Sequence, residues 1–224
     1  MKGKSKNMNY KHILFDFDGT ISDSAPYVMS CFEAALRAMG KTPPGRDELI
    51  CYVGPPLADT FTQVFGFEGT ALQEIIRLFR AAYAEVKPNK RDVFTGVPEM
   101  LDALKKAGKC LGIATSKREF FARESCKKYE IDHYFDTIAG SSDDDSRNQK
   151  DEIILYALEQ MGVTNKSDVL MVGDRLYDVE GASNCGIDAL GVLYGYGSRE
   201  ELQNAGAKYI AETAADVMKI ILST

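Results

Sequence analysis

The chain has 224 residues, enough for one domain of ordinary size together with a smaller insertion. Hydrophobic residues make up 45% of it and charged residues 27%, proportions that exclude a disordered chain or a fibrous repeat. The formal net charge of −6 removes the attraction to phosphate backbones that nucleic-acid-binding proteins use, so we expect no nucleic-acid partner.

The first predicted element is a buried strand over residues 12–17, which brings Asp16 and Asp18 to its carboxyl end. From residue 24 to about residue 92, helix-like segments then follow one another without an intervening strand. Proline-containing turn clusters interrupt this stretch or bound its far end. The pattern predicts a helical insertion, with helices over residues 27–39, 56–65 and 71–86.

Beyond the insertion, short apolar runs alternate with segments of helical period, a pattern typical of an α/β protein with a parallel sheet. The predicted strands cover residues 110–115, 137–140, 168–173 and 189–193, with a weak run around residues 209 and 210. The predicted helices cover residues 98–107, 118–129, 150–161, 176–185 and 211–222. Ligands bind such sheets at the carboxyl ends of the strands, so the residues just after each run are the candidates for function.

Hydropathy and cysteine usage bear on location and cofactors. No segment approaches the roughly 18 uninterrupted apolar residues that a membrane helix needs, which predicts a cytoplasmic protein with no membrane partner. The five cysteines are scattered and never spaced as Cys-x-x-Cys, so we expect neither disulfides nor a zinc site. Each is expected to pack as a small apolar side chain in a reducing compartment.

Two carboxylates, Asp16 and Asp18, alternate at the end of the first strand, where both can face a common site. One can attack phosphorus to give an aspartyl-phosphate, while the other protonates the leaving oxygen and later activates water. Gly19, which follows them, lets the backbone turn sharply and approach a ligand. The alternative interpretation is a strand followed by an ordinary Asp-Gly turn.

A second acid pair, Asp174 and Asp178, follows the fourth predicted strand and lies one helical turn apart. Four carboxylates at one edge of a sheet repel one another unless a cation bridges them, and Mg²⁺ is the usual hard cation for carboxylate and phosphate oxygens. The alternative for this pair is capping of the following helix, a common use of Asp.

Two weaker signals lie between the acid pairs. Thr115 and Ser116 end the second predicted strand, where a hydroxyl and the N–H groups of a turn can hold phosphate oxygens. Thr115 has an alternative as a helix cap. Lys150 opens a predicted helix and can neutralise charge on a phosphoryl group and on Asp16. Its alternative is an ordinary surface lysine.

The order of these motifs (acid pair, hydroxyl, lysine, acid pair) resembles that of the haloacid dehalogenase superfamily. The resemblance covers residues 15–178, and its first and last motifs are highly specific. Val-Gly-Pro-Pro-Leu at 53–57, Gly-Asp-Arg at 173–175 and Tyr-Gly-Tyr-Gly at 194–197 look like the phosphoglycolate phosphatase-like branch, which includes 5′-nucleotidases.

The resemblance implies a Rossmann-like, doubly wound parallel sheet as the α/β core, with a small helical cap domain inserted in it. The implied core comprises residues 1–22 and 93–224, and the implied cap comprises residues 23–92. The family's nucleophile matches Asp16, and its general acid and base matches Asp18. Mg²⁺ is then held by Asp16, by the backbone carbonyl of Asp18, by Asp174, and by Asp178 through a bound water.

The resemblance also assigns the groups that bind the phosphoryl oxygens. They are the Thr115 hydroxyl, the Ser116 N–H, and Lys150, which also contacts the nucleophile, together with Gly19 and Thr20 in the first motif. Many relatives follow the motif lysine with proline, whereas this chain continues with Asp and Glu.

These expectations give a magnesium-dependent phosphatase acting on a small phosphorylated metabolite, of phosphoglycolate or nucleoside 5′-monophosphate type, as a monomer or homodimer. Asp18 favours a phosphatase over a dehalogenase, because dehalogenases lack an acid there. Val28 stands where mutase relatives carry histidine, which disfavours mutase activity. A phosphotransferase or mutase of the same fold, or a non-catalytic binding protein, are the alternatives.

Overall fold

The structure is a computed structural model that describes residues 10–144 and 146–223, so parts of the predicted core at residues 1–9, 145 and 224 lie outside the described residues. Six strands of the described part form one sheet in the order β3-β2-β1-β4-β5-β6, and every neighbouring pair is parallel. The strands are β1 (His12–Phe15), β2 (Cys110–Arg118), β3 (Thr137–Ser141), β4 (Val169–Gly173), β5 (Asp188–Val192) and β6 (Tyr209–Ala211).

The described helices are α1 (Ala25–Ala38), α2 (Arg46–Leu49), α3 (Leu57–Gln63), α4 (Gly69–Ala84), α5 (Val97–Lys106), α6 (Glu119–Tyr129), α7 (Lys150–Gln160), α8 (Leu176–Cys185), α9 (Arg199–Asn204) and α10 (Ala214–Ser223). Short 3₁₀ helices cover Ile50–Tyr52, Lys90–Asp92, Asp132–Tyr134 and Lys166–Asp168. Among the helices of residues 10–144 and 146–223, none is long and apolar enough to cross a membrane.

The central strand β1 pairs with β2 on one side and with β4 on the other. Helices cover both faces of the sheet: α5, α6 and α10 contribute to one buried apolar cluster, and α7, α8 and α9 to the other. Strands buried on both faces are continuous apolar runs in the sequence, which is why they could be predicted. The predicted doubly wound α/β core is confirmed, and its strand order reverses between β1 and β4, where such folds bind ligands.

Helices α1 to α4 lie between β1 and β2 in the chain and have an apolar cluster of their own. Phe32 lies at its centre, with ring centroids 4.9 Å from Phe79 and 5.3 Å from Phe61. The chain enters and leaves this cap along adjacent paths, because Asp23 N–H donates to the Asp92 carbonyl at 2.7 Å. The inserted helical cap is therefore present, and its bounds at residues 23–92 stay a prediction.

The structure differs from the predicted elements mainly at their ends. β1 stops at Phe15 rather than at residue 17, and β2 continues to Arg118, where a helix start was predicted. The pairing of β2 with β3 shifts register between Ala114 and Arg118, so β2 stays paired beyond the end of its own apolar run. Helices α2 and α9 were not predicted, because four and six residues are too short to show a helical period.

Candidate active site

Asp16 and the second acid pair, Asp174 and Asp178, lie together where the strand order of the sheet reverses, between β1 and β4. Asp16 follows β1 directly, and its N–H donates to the Val172 carbonyl of β4 at 2.8 Å. Asp174 follows β4, and Asp178 lies in the first turn of α8. One carboxylate oxygen from each of these three acids lies within 4.8 Å of the other two. All three residues are buried, and we call them the acid cluster.

Lys150 provides a cation for the acid cluster. Its Nζ donates to Asp16 Oδ1 at 2.8 Å and to the Ala114 carbonyl at 3.1 Å, and it forms an ion pair with Asp178 Oδ1 at 2.6 Å. Lys150 is only 7% exposed although it begins α7, so the interpretation as a surface lysine does not hold. One ammonium against three carboxylates leaves a surplus of negative charge in the cluster.

The pKa values of two cluster acids reflect this arrangement. Burial raises the pKa of Asp16 to about 6, against the opposing effect of Lys150. Burial also raises the pKa of Asp174 well above its usual range, and the charges of Asp178 and Asp16 add to the increase. Both carboxyl groups are therefore harder to ionise here than in water unless a further positive charge is supplied.

The two acids of the second pair use their oxygens differently. Asp178 Oδ2 accepts the Arg175 N–H at 3.0 Å, so this residue does cap α8, while its other oxygen faces the cluster. Asp174 is not at a cap position. Its Oδ1 accepts the Thr20 hydroxyl at 3.2 Å and its Oδ2 accepts the Tyr196 N–H at 2.8 Å. Capping therefore explains only one member of this pair.

The turn after the first acid pair lies directly against Asp174. Gly19 has a φ of +91°, and a Cβ at this position would collide with the Asp174 carboxylate. Its own N–H donates to the Ser22 carbonyl at 2.9 Å. Gly19 and Thr20 thus support Asp174, and the structure does not bring them to the wall of the cavity described below.

Asp18 lies outside the acid cluster and has its own cation, Lys117. The Lys117 ammonium donates to both Asp18 oxygens at 2.8 Å. It also lies 4.5 Å from the ring centroid of Tyr83 and 5.3 Å from that of Phe17. Lys117 was not among the site residues predicted from the sequence. Its place two residues after Thr115, at a strand end, was the available signal.

The hydroxyl motif lies at the end of the apolar part of β2. The Thr115 hydroxyl accepts the Lys117 N–H at 3.3 Å, and the residue that caps α6 is Arg118, so Thr115 does not cap that helix. Ser116 Oγ is buried and makes no hydrogen bond to any described residue. This hydroxyl is therefore available to a ligand.

A cavity of about 190 Å³ lies between this edge of the sheet and the cap. Its core wall contains Asp16, Asp18, Thr115, Ser116 and Lys117. The cap contributes mostly apolar side chains from α1, α4, the segment between α2 and α3, and the start of α3, among them Val28, Tyr52, Pro55, Pro56, Leu57, Ile76 and Phe79. The arrangement can hold a phosphoryl group at the sheet edge and enclose the group attached to it.

Comparison with known proteins places these motifs in a family. The sequence model of the haloacid dehalogenase-like hydrolases matches residues 13–192. A protein of Pseudomonas aeruginosa named 5′-nucleotidase is 36% identical over 209 residues, which cover 93% of this chain and 94% of the relative. A protein of Mycobacterium tuberculosis named tyrosine-protein kinase PtkA is 35% identical over 202 residues, covering 90% of this chain and 68% of the relative.

Solved structures agree with the sequence comparison. A crystal structure described as a predicted phosphatase from Clostridium acetobutylicum superposes with a TM-score of 0.91 at 34% identity. The alignment covers 96% of this chain and 99% of that protein. The similarity therefore includes both the sheet and the inserted cap.

Proposed function

This chain belongs to the haloacid dehalogenase-like hydrolase family, and on that premise we propose that it is a magnesium-dependent phosphatase that forms an aspartyl-phosphate on Asp16. The observation that carries the proposal is the buried acid cluster with Lys150 at the sheet edge, whose member Asp16 lines the cavity. An enzyme that transfers phosphoryl groups needs a nucleophile, a phosphate-binding site and a counter-charge in one place.

The residues of the acid cluster fit a divalent cation. Three carboxylate oxygens within 4.8 Å are the hard ligands that Mg²⁺ prefers. Burial raises the pKa of Asp16 and of Asp174, and the neighbouring carboxylates add to the increase, so a further cation would favour the ionised form of both. Asp16, Asp174, Asp178 and the carbonyl of Asp18 would hold the ion. When bound, it offsets the negative charge of the phosphoryl group and of the nucleophile.

The chain's own residues then perform the transfer in two steps. A carboxylate oxygen of Asp16 attacks phosphorus while the bond to the leaving oxygen breaks, and Asp18 donates a proton to that oxygen. Asp18 next removes a proton from water, whose oxygen attacks the aspartyl-phosphate and regenerates Asp16 with release of inorganic phosphate. The Thr115 hydroxyl, the Ser116 N–H and Lys150 hold the phosphoryl oxygens throughout.

The proposed substrate is a small phosphomonoester of nucleoside 5′-monophosphate or phosphoglycolate type. The name of the Pseudomonas aeruginosa relative supports the first class, and the resemblance of the Gly-Asp-Arg and Tyr-Gly-Tyr-Gly motifs supports the branch as a whole. The cap, residues 23–92 in our proposal, supplies the wall around the leaving group. We further propose that the protein acts in the cytoplasm as a monomer or homodimer.

Transfer to a second hydroxyl instead of water is the other candidate, because the relative in Mycobacterium tuberculosis is named a kinase. Both reactions share the aspartyl-phosphate and differ only in the acceptor. The mutase form of this reaction stays disfavoured, since Val28, a buried residue of α1, lines the cavity where the mutase relatives carry histidine.

A phosphate-release screen tests the proposal. Purified protein is incubated with nucleoside 5′-monophosphates, phosphoglycolate and acetyl phosphate, with Mg²⁺ and with excess chelator. We expect Mg²⁺-dependent release of inorganic phosphate from at least one natural ester. Release that is equal in chelator contradicts the metal assignment. Consumption of ester without free phosphate, in the presence of an acceptor alcohol, identifies the transferase instead.

A further inference from the structure

Arg175 connects the acid-bearing loop of the core to the cap. It follows Asp174 directly and occupies the N-cap position of α8, and its side chain is almost fully buried. Its Nη1 donates to the Cys51 carbonyl at 3.0 Å and to the Val53 carbonyl at 2.9 Å. Both acceptors belong to the segment 51–56 between α2 and α3, which we call the cap loop. A charged donor shared by two carbonyls holds backbone that lies within and just after the short 3₁₀ helix Ile50–Tyr52.

The other side of the guanidinium is fixed to the core. Arg175 Nε donates to Glu201 Oε1 at 2.8 Å, and the same oxygen accepts the Leu176 N–H at 2.9 Å. Glu201 lies on α9, so two core helices determine the direction in which Arg175 points. The planar guanidinium can bond to the core through one nitrogen and to the cap through another, which an ammonium cannot do in this geometry.

The backbone of the cap loop lies closely against the stem of Arg175. Gly54 has a φ of +112°, a conformation that other residues rarely adopt. A Cβ at Gly54 would lie 3.3 Å from Arg175 Cγ, closer than ordinary contact. The loop therefore lies close to this side chain at Gly54, in addition to the two hydrogen bonds.

Arg175 itself is not part of the cavity wall, whereas the cap loop is. Tyr52, Val53, Pro55 and Pro56 line the cavity opposite the acids of the core. We propose that Arg175 is a positioning residue, which fixes the cap loop over the cavity and so determines which leaving groups the enzyme accepts. The link to substrate selection rests on the proposed function. The inference that Arg175 holds the cap loop in place does not.

The cap has an apolar cluster of its own, which does not include Arg175. Val53 is buried in the cap's own apolar cluster, where α1, α3 and α4 pack together. Removing the guanidinium is therefore expected to free the loop while the cap helices and the sheet stay intact.

Three variants test the inference. Arg175→Met removes the three hydrogen bonds that the side chain donates to Glu201, Cys51 and Val53. Arg175→Lys keeps the positive charge but lacks the planar guanidinium that donates from two nitrogens at once. Arg199→Met is the matched control, because Arg199 also lies on the α9 side of the core but pairs with the exposed Glu212 at 2.9 Å. Amide hydrogen exchange is measured over the cap loop and over β1 and β4, together with KM and kcat for the best phosphomonoester and for acetyl phosphate.

We expect cap-loop exchange to be at least about tenfold faster in Arg175→Met, the loss expected for one charged hydrogen bond, and intermediate in Arg175→Lys. Exchange in β1 and β4 should not change. KM for the phosphomonoester should rise by about tenfold, while KM for acetyl phosphate changes by less than about twofold. Arg199→Met should match the wild type in every measurement.

Cap-loop exchange in Arg175→Met that equals the wild type would overturn the inference, as would an equal loss on both substrates. If the wild-type protein hydrolyses no phosphate ester, the proposed function fails, and the exchange measurement still decides whether Arg175 holds the loop. The two failures are therefore distinguishable.

Discussion

The ion pair of Asp18 with Lys117 is a residue-scale feature that we expect to contribute to both catalysis and stability. The two residues are 99 positions apart, and their side chains are 13% and 5% exposed. At such burial an acid left without its cation retains the cost of desolvation and loses the compensating attraction. The pair is therefore a sensitive place to test the geometry of the site.

Lys117→Met is expected to lower the free energy of unfolding by about 3 kcal/mol, because it leaves the Asp18 carboxylate buried and unpaired. Urea denaturation measures the change. Lys105→Met is the matched control, since Lys105 pairs with Asp136 at the surface and should lose less than about 1 kcal/mol. A loss in Lys117→Met no larger than in the control would show that the Asp18 pair contributes little to stability.

Gly19 provides a second test at the scale of one residue. Both Gly19 and Gly40 have positive φ angles, +91° and +71°, so replacing either with alanine strains the backbone. Only at Gly19 would the new Cβ collide with Asp174, because the space around Gly40 is open. Gly19→Ala should therefore lose at least about 99% of kcat, roughly 2.7 kcal/mol, whereas Gly40→Ala keeps the wild-type value. Comparable kcat values in the two variants would contradict the placement of Asp174.

At the scale of elements, α8 carries one metal-ligand candidate just before its start and another in its first turn. Asp174→Ala should raise the Mg²⁺ concentration for half-maximal activity by at least about tenfold, because it removes an anionic oxygen, and Asp178→Ala should raise it less. Asp178→Ala should also destabilise the protein, since Asp178 caps α8. Titration calorimetry and activity measure the two effects.

Asp216→Ala separates capping from metal binding. Asp216 accepts the Thr213 N–H at 3.2 Å near the start of α10, away from the acid cluster. Its replacement should destabilise the protein by about 1 kcal/mol and leave the Mg²⁺ titration unchanged. If the Mg²⁺ titrations of Asp174→Ala and Asp178→Ala are also unchanged from the wild type, the proposed metal site is wrong.

The elements show what sequence patterns can and cannot predict. The strands were predictable because buried parallel strands are continuous apolar runs, and the acids were predictable because they end two of those runs. The helices α2 and α9 are too short to show a helical repeat of apolar residues in the sequence. The extension of β2 depends on its pairing with β3, which the sequence of β2 alone does not contain. The bonds of Lys117 to Asp18 and of Arg175 to the cap loop join residues more than 90 positions apart, so they depend on tertiary contacts that no local pattern contains.

At the scale of the whole molecule, we propose that the sheet edge supplies the chemistry and that the cap selects the substrate. Leu57→Ala, in the cap wall of the cavity, should change kcat/KM for natural esters by about tenfold and change hydrolysis of acetyl phosphate by less than about twofold. Leu155→Ala is the control, because Leu155 is exposed on α7 and does not line the cavity. Equal losses on both kinds of substrate in Leu57→Ala, with the fold intact, would make the cap part of the catalytic machinery.

The proposed mechanism depends on Asp16 as the nucleophile, and the steady-state kcat of Asp16→Asn is the sharpest test of that role. The amide has nearly the shape of the acid but cannot attack phosphorus, so the variant should fold as the wild type does while kcat falls by about a thousandfold, roughly 4 kcal/mol. Circular dichroism and urea denaturation check the fold of the same preparation. A folded Asp16→Asn protein that keeps a tenth of the wild-type kcat, a difference of only about 1.4 kcal/mol, would contradict the covalent mechanism.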